Sequence, residues 1–185
     1  MVKLKLKNGF TLIELLVVTG LVLVIIAVVV QLFFSALRGA AKTAITNETR
    51  QTGDYAMSVM ERMIRNAQTI ENITTYCDGT TQHDKIDIVN QDSQTTTFQC
   101  PLYFSTVYIA SNSATGNSQL TSSKVAVEPH PDCNFICTKT GSGPAVVSID
   151  FTIHQLPPAA GVTLRPEEKN SIDFQTSVVV RNTGL

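Results

Sequence analysis

The sequence predicts an α+β fold: a long N-terminal hydrophobic helix that spans a membrane and continues into a head, where it packs on a mainly antiparallel β-sheet. Three observations predict it. From Phe10 to Phe34 only Thr11, Glu14, Thr19, Gly20 and Gln31 interrupt an apolar run. Residues 35–72 then continue without proline, with apolar positions at three- and four-residue steps. From Lys85 onward the pattern changes to short stretches rich in Val, Ile, Thr, Phe and Tyr, separated by Gly, Pro, Asn and Ser.

The apolar run is long enough to cross a bilayer, which takes roughly 20 mainly apolar residues. A core helix of a soluble protein rarely runs this far without a charge, and the Thr-, Ser-, Asn- and Gln-rich remainder offers little apolar shell to cover it. Lys3, Lys5 and Lys7 precede the run with no acid before Glu14. Basic residues beside a span stay on the cytoplasmic side, so the chain beyond about residue 38 is expected outside. The organisation that follows is a basic leader (1–9), a membrane-spanning helix (10–38), an amphipathic helix entering the head (39–72) and a β-rich extracytoplasmic head (73–185). An ordinary secretory signal is excluded on two counts. The apolar stretch is too long, and no Ala-x-Ala follows it: Gly39-Ala40-Ala41 comes after Arg38 and runs on into helical sequence.

In the second helix Ala56, Met57, Met60, Met63, Ile64, Ala67 and Ile70 form the apolar face, opposite Asp54, Glu61, Arg62, Arg65, Asn66 and Gln68. With Ala and Ile among them, the methionines read as core rather than as an adaptable docking surface. Gly39 and Gly53 each cost a helix about 1 kcal/mol relative to Ala, which predicts bends or breaks there. Strands are expected over 85–90, 95–100, 102–110, 124–127, 145–154 and 171–181, with a polar loop over 111–123. Asp87, Asp92, Asp150 and Asp173 read as strand-end or turn residues.

Cys77, Cys100, Cys133 and Cys137 all fall in the outer part. An even count in an oxidising compartment predicts two disulfides. Of the three pairings, sequence order favours Cys77 with Cys100 and Cys133 with Cys137, though spacing does not decide it. His130 lies close to Cys133 and Cys137, but a structural zinc site wants four ligands, so no metal is expected. No cofactor is expected either.

Lys and Arg number 14 against 15 Asp and Glu, which gives no electrostatic case for nucleic acid and no clear site for it. Nor does an enzyme assemble. His83, His130 and His154 sit in unrelated contexts, and Gly-x-Ser-x-Gly, a phosphate loop and His-Glu-x2-His are all missing.

The front of the span carries the sharpest signal. Glu14 places a carboxylate at the start of a spanning helix, costing on the order of 2.5 kcal/mol or more if unpaired at bilayer depth. It needs a partner. Lys7-Asn8-Gly9 followed by Phe10-Thr11-Leu12-Ile13-Glu14-Leu15-Leu16-Val17-Val18 resembles the processing and methylation motif of type IV prepilins and of the pseudopilins of type II secretion and DNA-uptake systems. The resemblance implies that a membrane aspartyl peptidase, the prepilin peptidase, cuts after Gly9 and methylates the new N-terminal amine of Phe10. It also implies that Glu14 pairs with the amine of a neighbouring subunit, offsetting the desolvation of both charges. Other pilin or pseudopilin subunits, an inner-membrane assembly platform and the lipid bilayer are the partners implied. Major pilins of this family often carry a proline near the position of Gln31, and this chain has none. The ending Asp173-Phe174-Gln175-Thr176-Ser177-Val178-Val179-Val180-Arg181-Asn182 resembles the closing strand of larger minor pilins and pseudopilins. The expectation is therefore a minor, non-enzymatic filament subunit, in the membrane before assembly and in an extracellular filament after it. The alternative is a single-pass anchored adhesin or receptor head that never polymerises.

Overall fold

The fold is that of a computed structural model, which describes residues 11–100, 108–114, 116–157, 163 and 169–181. Gly9 and Phe10 lie outside the described residues, as do residues 102–107 of one expected strand. The α+β class is as the sequence predicts. Two compact units divide the chain between Lys42 and Thr43.

Helix α1 runs unbroken from Leu12 to Asn66. Within the first unit its large apolar side chains, Leu12 through Leu37, are 44–82% exposed, on every side of the helix. At a rise of about 1.5 Å per residue, residues 12–37 measure about 39 Å, against about 30 Å of bilayer hydrocarbon. This helix is long and apolar enough to cross a membrane.

In the second unit the same helix becomes amphipathic. Thr49, Gly53, Ala56, Met57, Met60 and Ile64 are buried, with Met63 partly so, while Asp54, Arg62 and Arg65 face outward. The sequence reading extended the helix to residue 72; it ends at Asn66. What ends it is tertiary pairing rather than a glycine or proline. Gln68 N donates to Val89 O at 2.8 Å and Glu71 N to Asp87 O at 2.9 Å, drawing the chain into a sheet. Ala67 and Ile70 are buried as expected, but beyond the helix.

Five strands follow one another in an antiparallel meander: β1 (Thr69–Ile70), β2 (Lys85–Val89), β3 (Thr95–Gln99), β4 (Ala110–Ser113) and β5 (Gly116–Gln119). A short helix, α2 (Ile73–Tyr76), sits between β1 and β2. Ile86, Ile88, Phe98 and Cys100 point into the core from alternate positions. The polar loop expected over 111–123 is instead largely the β4–β5 hairpin. Ser, Asn and Gln suffice there because β5 buries nothing and is held by its ladder to β4.

The second sheet is built around β8 (Val146–Gln155). One edge of β8 is shared end to end by β7 (Cys133–Thr138), which pairs with 146–151, and β6 (Val125–Val127), which pairs with 153–155. The other edge takes β9 (Ser171–Val179). Val147, Ile149, Phe151 and Ile153 point inward from β8 and join one core cluster with α1 and the first sheet. Asp87, Asp150 and Asp173 lie within strands rather than at their ends, whereas Asp92 does sit in a turn.

Neither Gly39 nor Gly53 breaks α1, and Gly53 has a packing role instead. A Cβ placed there would lie 2.1 Å from the ring of Phe174, which packs in turn on Phe151 with centroids 5.3 Å apart. Only glycine lets β9 approach the helix so closely. About two turns further on, Thr176 Oγ1 donates to Glu61 Oε1 at 2.7 Å.

All four cysteines are in disulfides, but the favoured pairing is overturned: Cys77 bonds Cys137, and Cys100 bonds Cys133. Cys133 and Cys137 lie in one strand, about 13 Å apart at some 3.3 Å per residue, beyond the roughly 7 Å that a disulfide can bridge. Each therefore reaches sideways, across Cα separations of 5.8 and 4.3 Å respectively. The Cys77–Cys137 bond encloses Cys100–Cys133, with 60 residues of separation around 33. In the loop-entropy account each is worth about 4 kcal/mol taken singly.

Candidate functional site

The segment singled out by sequence begins, among the described residues, at Thr11. Helix α1 starts one residue later, and Thr11 Oγ1 accepts a hydrogen bond from Glu14 N at 3.3 Å. Thr11-Leu12-Ile13-Glu14 thus has the Thr-x-x-Glu spacing of a capping box, with Glu14 at the third helical position. The local Thr-x-x-Glu spacing is the sequence signal for Thr11, which is not among the residues singled out above. A carboxylate there meets the unpaired amides and positive dipole end of the first turn, which lowers the cost of holding it at the helix start. Glu14 is exposed, as is the apolar helix that follows it. Chemically the segment offers a surface-facing anion at the mouth of a long, uncovered apolar rod.

The second unit has its own chemistry. Next to Cys77, Tyr76 stacks on His83 at 3.8 Å, and its hydroxyl donates to the carbonyl of Lys85. Burial, reinforced by Asp87 and Asp84, raises the phenol far above its ordinary range, so it remains a donor. Gly79 N donates to Cys137 O at 2.9 Å, and His83 exchanges backbone bonds with Phe135, so residues 78–83 run along the outer edge of β7. Asp78 caps the turn that follows by accepting from Thr80 N, Thr81 N and the Thr81 hydroxyl, which hold its carboxyl well below the usual carboxylate range.

Across the outer face of the second sheet lies an open depression of about 660 Å³, lined by Asp132, Asp150 and Asp173 together with Asn134, Thr152 and Gln175. Burial, with Asp173 and Asp132 adding to it, raises the carboxyl of Asp150. The depression is therefore hostile to anions. Among the described residues no group of three or more His, Cys, Asp or Glu is placed to hold a metal ion. Cys133 and Cys137, weighed above beside His130 as zinc ligands, are each committed to a disulfide. Of the sequence-predicted positions, the structure brings the four cysteines together in pairs inside the second unit, and it leaves Glu14 in the first. No family model, curated protein or solved structure matches the chain.

Proposed function

We propose that this chain is a minor pilin or pseudopilin, a structural subunit of a type IV pilus, type II secretion or DNA-uptake filament, made as a precursor and processed by prepilin peptidase. The observation that carries this reading is the run Lys7-Asn8-Gly9-Phe10-Thr11-Leu12-Ile13-Glu14 placed directly before the long apolar helix. Three features support it. The helix leaves every side uncovered over residues 12–37, which suits lipid first and sister helices later. Glu14 faces outward at the helix start, where a neighbour's amine can reach it. Both disulfides lie in the part that the lysines of the leader assign to the outside.

In the precursor, Glu14 sits near the cytoplasmic interface within reach of water. Cleavage after Gly9 creates a positive amine on Phe10. Packing the helix into a filament core removes both charges from water, so each then needs the other from an adjacent copy, and their attraction sets the axial register. The topmost subunit of a filament has no neighbour above it, so Glu14 suits a subunit below the tip.

Coexpression with a prepilin peptidase tests the reading. The expected product lacks residues 1–9 and begins with an N-methylated Phe10. An intact leader, or a cut after the span, would refute it. Glu14→Val should be inserted and cleaved normally yet be lost from sheared filaments. Recovery of that variant at wild-type levels would remove the register role. Failure of the processed chain to crosslink to sister subunits through the first helix would favour the non-polymerising adhesin or receptor head.

A further inference from the structure

Two Asn-x-Thr triplets occur in this chain, Asn47-Glu48-Thr49 and Asn72-Ile73-Thr74. The triplet is the acceptor signal for N-linked oligosaccharide transfer, and the signal works only where the enzyme can seize the asparagine amide and the hydroxyl two residues on. The structure separates the two copies. Asn47 lies deep within α1, its backbone fixed in the helical ladder. Thr49 is 1% exposed, and its hydroxyl is spent on the carbonyl of Ile45 at 3.0 Å. An enzyme approaching Asn47 would find the second half of the signal facing the core.

Asn72 is the reverse case. It sits between β1 and α2 with φ 54° and ψ 38°, a left-handed turn conformation uncommon for a residue other than glycine. Its side chain is exposed and makes no capping bond to α2. Its carbonyl is taken, accepting from Thr75 N and Tyr76 N at 2.9 Å, so the turn is held by the backbone while the amide stays free. Thr74 is exposed as well. Since Ile73 occupies the middle position, no proline blocks the triplet.

We propose that Asn72 is an N-glycosylation site of the folded head and that Asn47 is not. The co-substrate is a lipid-linked oligosaccharide. A bond forms between Asn72 Nδ2 and the anomeric carbon of the first sugar, while that carbon's bond to the polyprenyl phosphate oxygen breaks. The electron pair leaves with the phosphate, and the amide gives up one proton to the surrounding water. From the proposed function the inference takes one thing only, that residue 72 lies on the outer side of the membrane.

The test uses the purified, oxidised full-length chain in detergent micelles, incubated with a single-subunit oligosaccharyltransferase that accepts Asn-x-Thr and with a lipid-linked oligosaccharide. Intact mass and glycopeptide mapping give the readout. One glycan is expected, at Asn72. Thr74→Ala, which leaves the left-handed residue in place, should cut occupancy at least tenfold, as should Asn72→Gln, and Asn47→Gln should change nothing. The reduced, unfolded chain should accept glycan at both triplets, so the contrast comes from the fold. Folded protein left unmodified, or modified equally at Asn47, would overturn the proposal, as would failure of the unfolded chain to accept at Asn72. Transfer in micelles without transfer in a bacterial host whose transferase acts outside the membrane supports the acceptor geometry and counts against the proposed topology instead.

Discussion

Replacing Gly53 by alanine sets two opposing effects of known size against each other. In the interior of a helix the exchange is worth about 1 kcal/mol in favour of the folded state, because glycine surrenders more backbone freedom on folding. Here the new methyl would stand 2.1, 2.4 and 2.5 Å from three carbons of the Phe174 ring. Carbon contacts are favourable only from about 3.5 Å outward, so the ring must retreat by more than 1 Å. It is stacked on Phe151 at 5.3 Å, so that retreat disturbs the stacking of the two rings between β8 and β9. Overpacking of this kind costs about 1–3 kcal/mol, so the net expectation for Gly53→Ala is a loss of about 1 kcal/mol. In a Phe174→Ala background the clash is gone, and the same exchange should stabilise by about 1 kcal/mol relative to Phe174→Ala alone. The coupling between the two positions is then about 2 kcal/mol, within the range for residues in direct contact. Urea unfolding of the disulfide-intact chain in micelles, followed by the β-sheet circular dichroism signal, measures all four corners of the cycle. If Gly53→Ala stabilised the wild-type background, or the two changes simply added, the account of Gly53 as the slot for Phe174 would be wrong.

Disulfide connectivity can be read by digesting unreduced protein with trypsin and chymotrypsin together. Cleavage after Phe135 separates Cys133 from Cys137, and the peptides should emerge joined as 77 with 137 and 100 with 133. Replacing either pair by serine should cost up to about 4 kcal/mol, measured by denaturant midpoint. Asp150→Asn should stabilise the head at neutral pH. Burial, Asp173 and Asp132 raise this carboxyl in the folded state, so the charged form opposes folding; the variant's advantage should vanish as pH falls below the ordinary aspartate value near 3.8. Asp78 has the opposite sign. Its folded value is depressed, so its contribution is present above about pH 3.8 and is lost as pH falls further, and Asp78→Asn should remove that acid-side loss from the pH–stability profile.

What could be read from the sequence was whatever a local pattern encodes. The exposed apolar half of α1 is a near-continuous apolar run, its buried continuation through Met57, Met60 and Ile64 recurs at three- and four-residue steps, and β8 alternates from Val146 to Ile153. The β4–β5 hairpin was not legible, because Ser111, Asn112, Asn117 and Ser118 pair through backbone groups that every residue possesses. The end of α1 was equally hidden: Asn66 is no stop signal, and Val89 and Asp87, which draw the chain away, lie some twenty residues further on. Gly53 looked like a weakness because its partner, Phe174, is 121 positions away. Cysteine count gave the number of bonds but not their partners, since placing Cys133 and Cys137 on one strand is a fact of the sheet. At the start of α1 the reverse holds. Glu14 stands out by its charge within an apolar run, and Thr11, its partner, is legible in the local Thr-x-x-Glu spacing.

The nesting of the two disulfides has a mechanical consequence. When the protein is pulled between its two ends the load runs along the chain, and only the parts of the chain outside a closed covalent loop can lengthen. The Cys77–Cys137 bond withholds 60 residues from extension, about 200 Å of contour at near 3.4 Å per residue. While it stands, the inner bond bears no tension. If the outer bond is reduced, Cys100–Cys133 still withholds 33 residues, about 110 Å, so the segment between Cys77 and Cys137 can be drawn out under load only in two ordered redox steps. A single backbone cut anywhere between residues 77 and 137 likewise leaves its two fragments tied to one another.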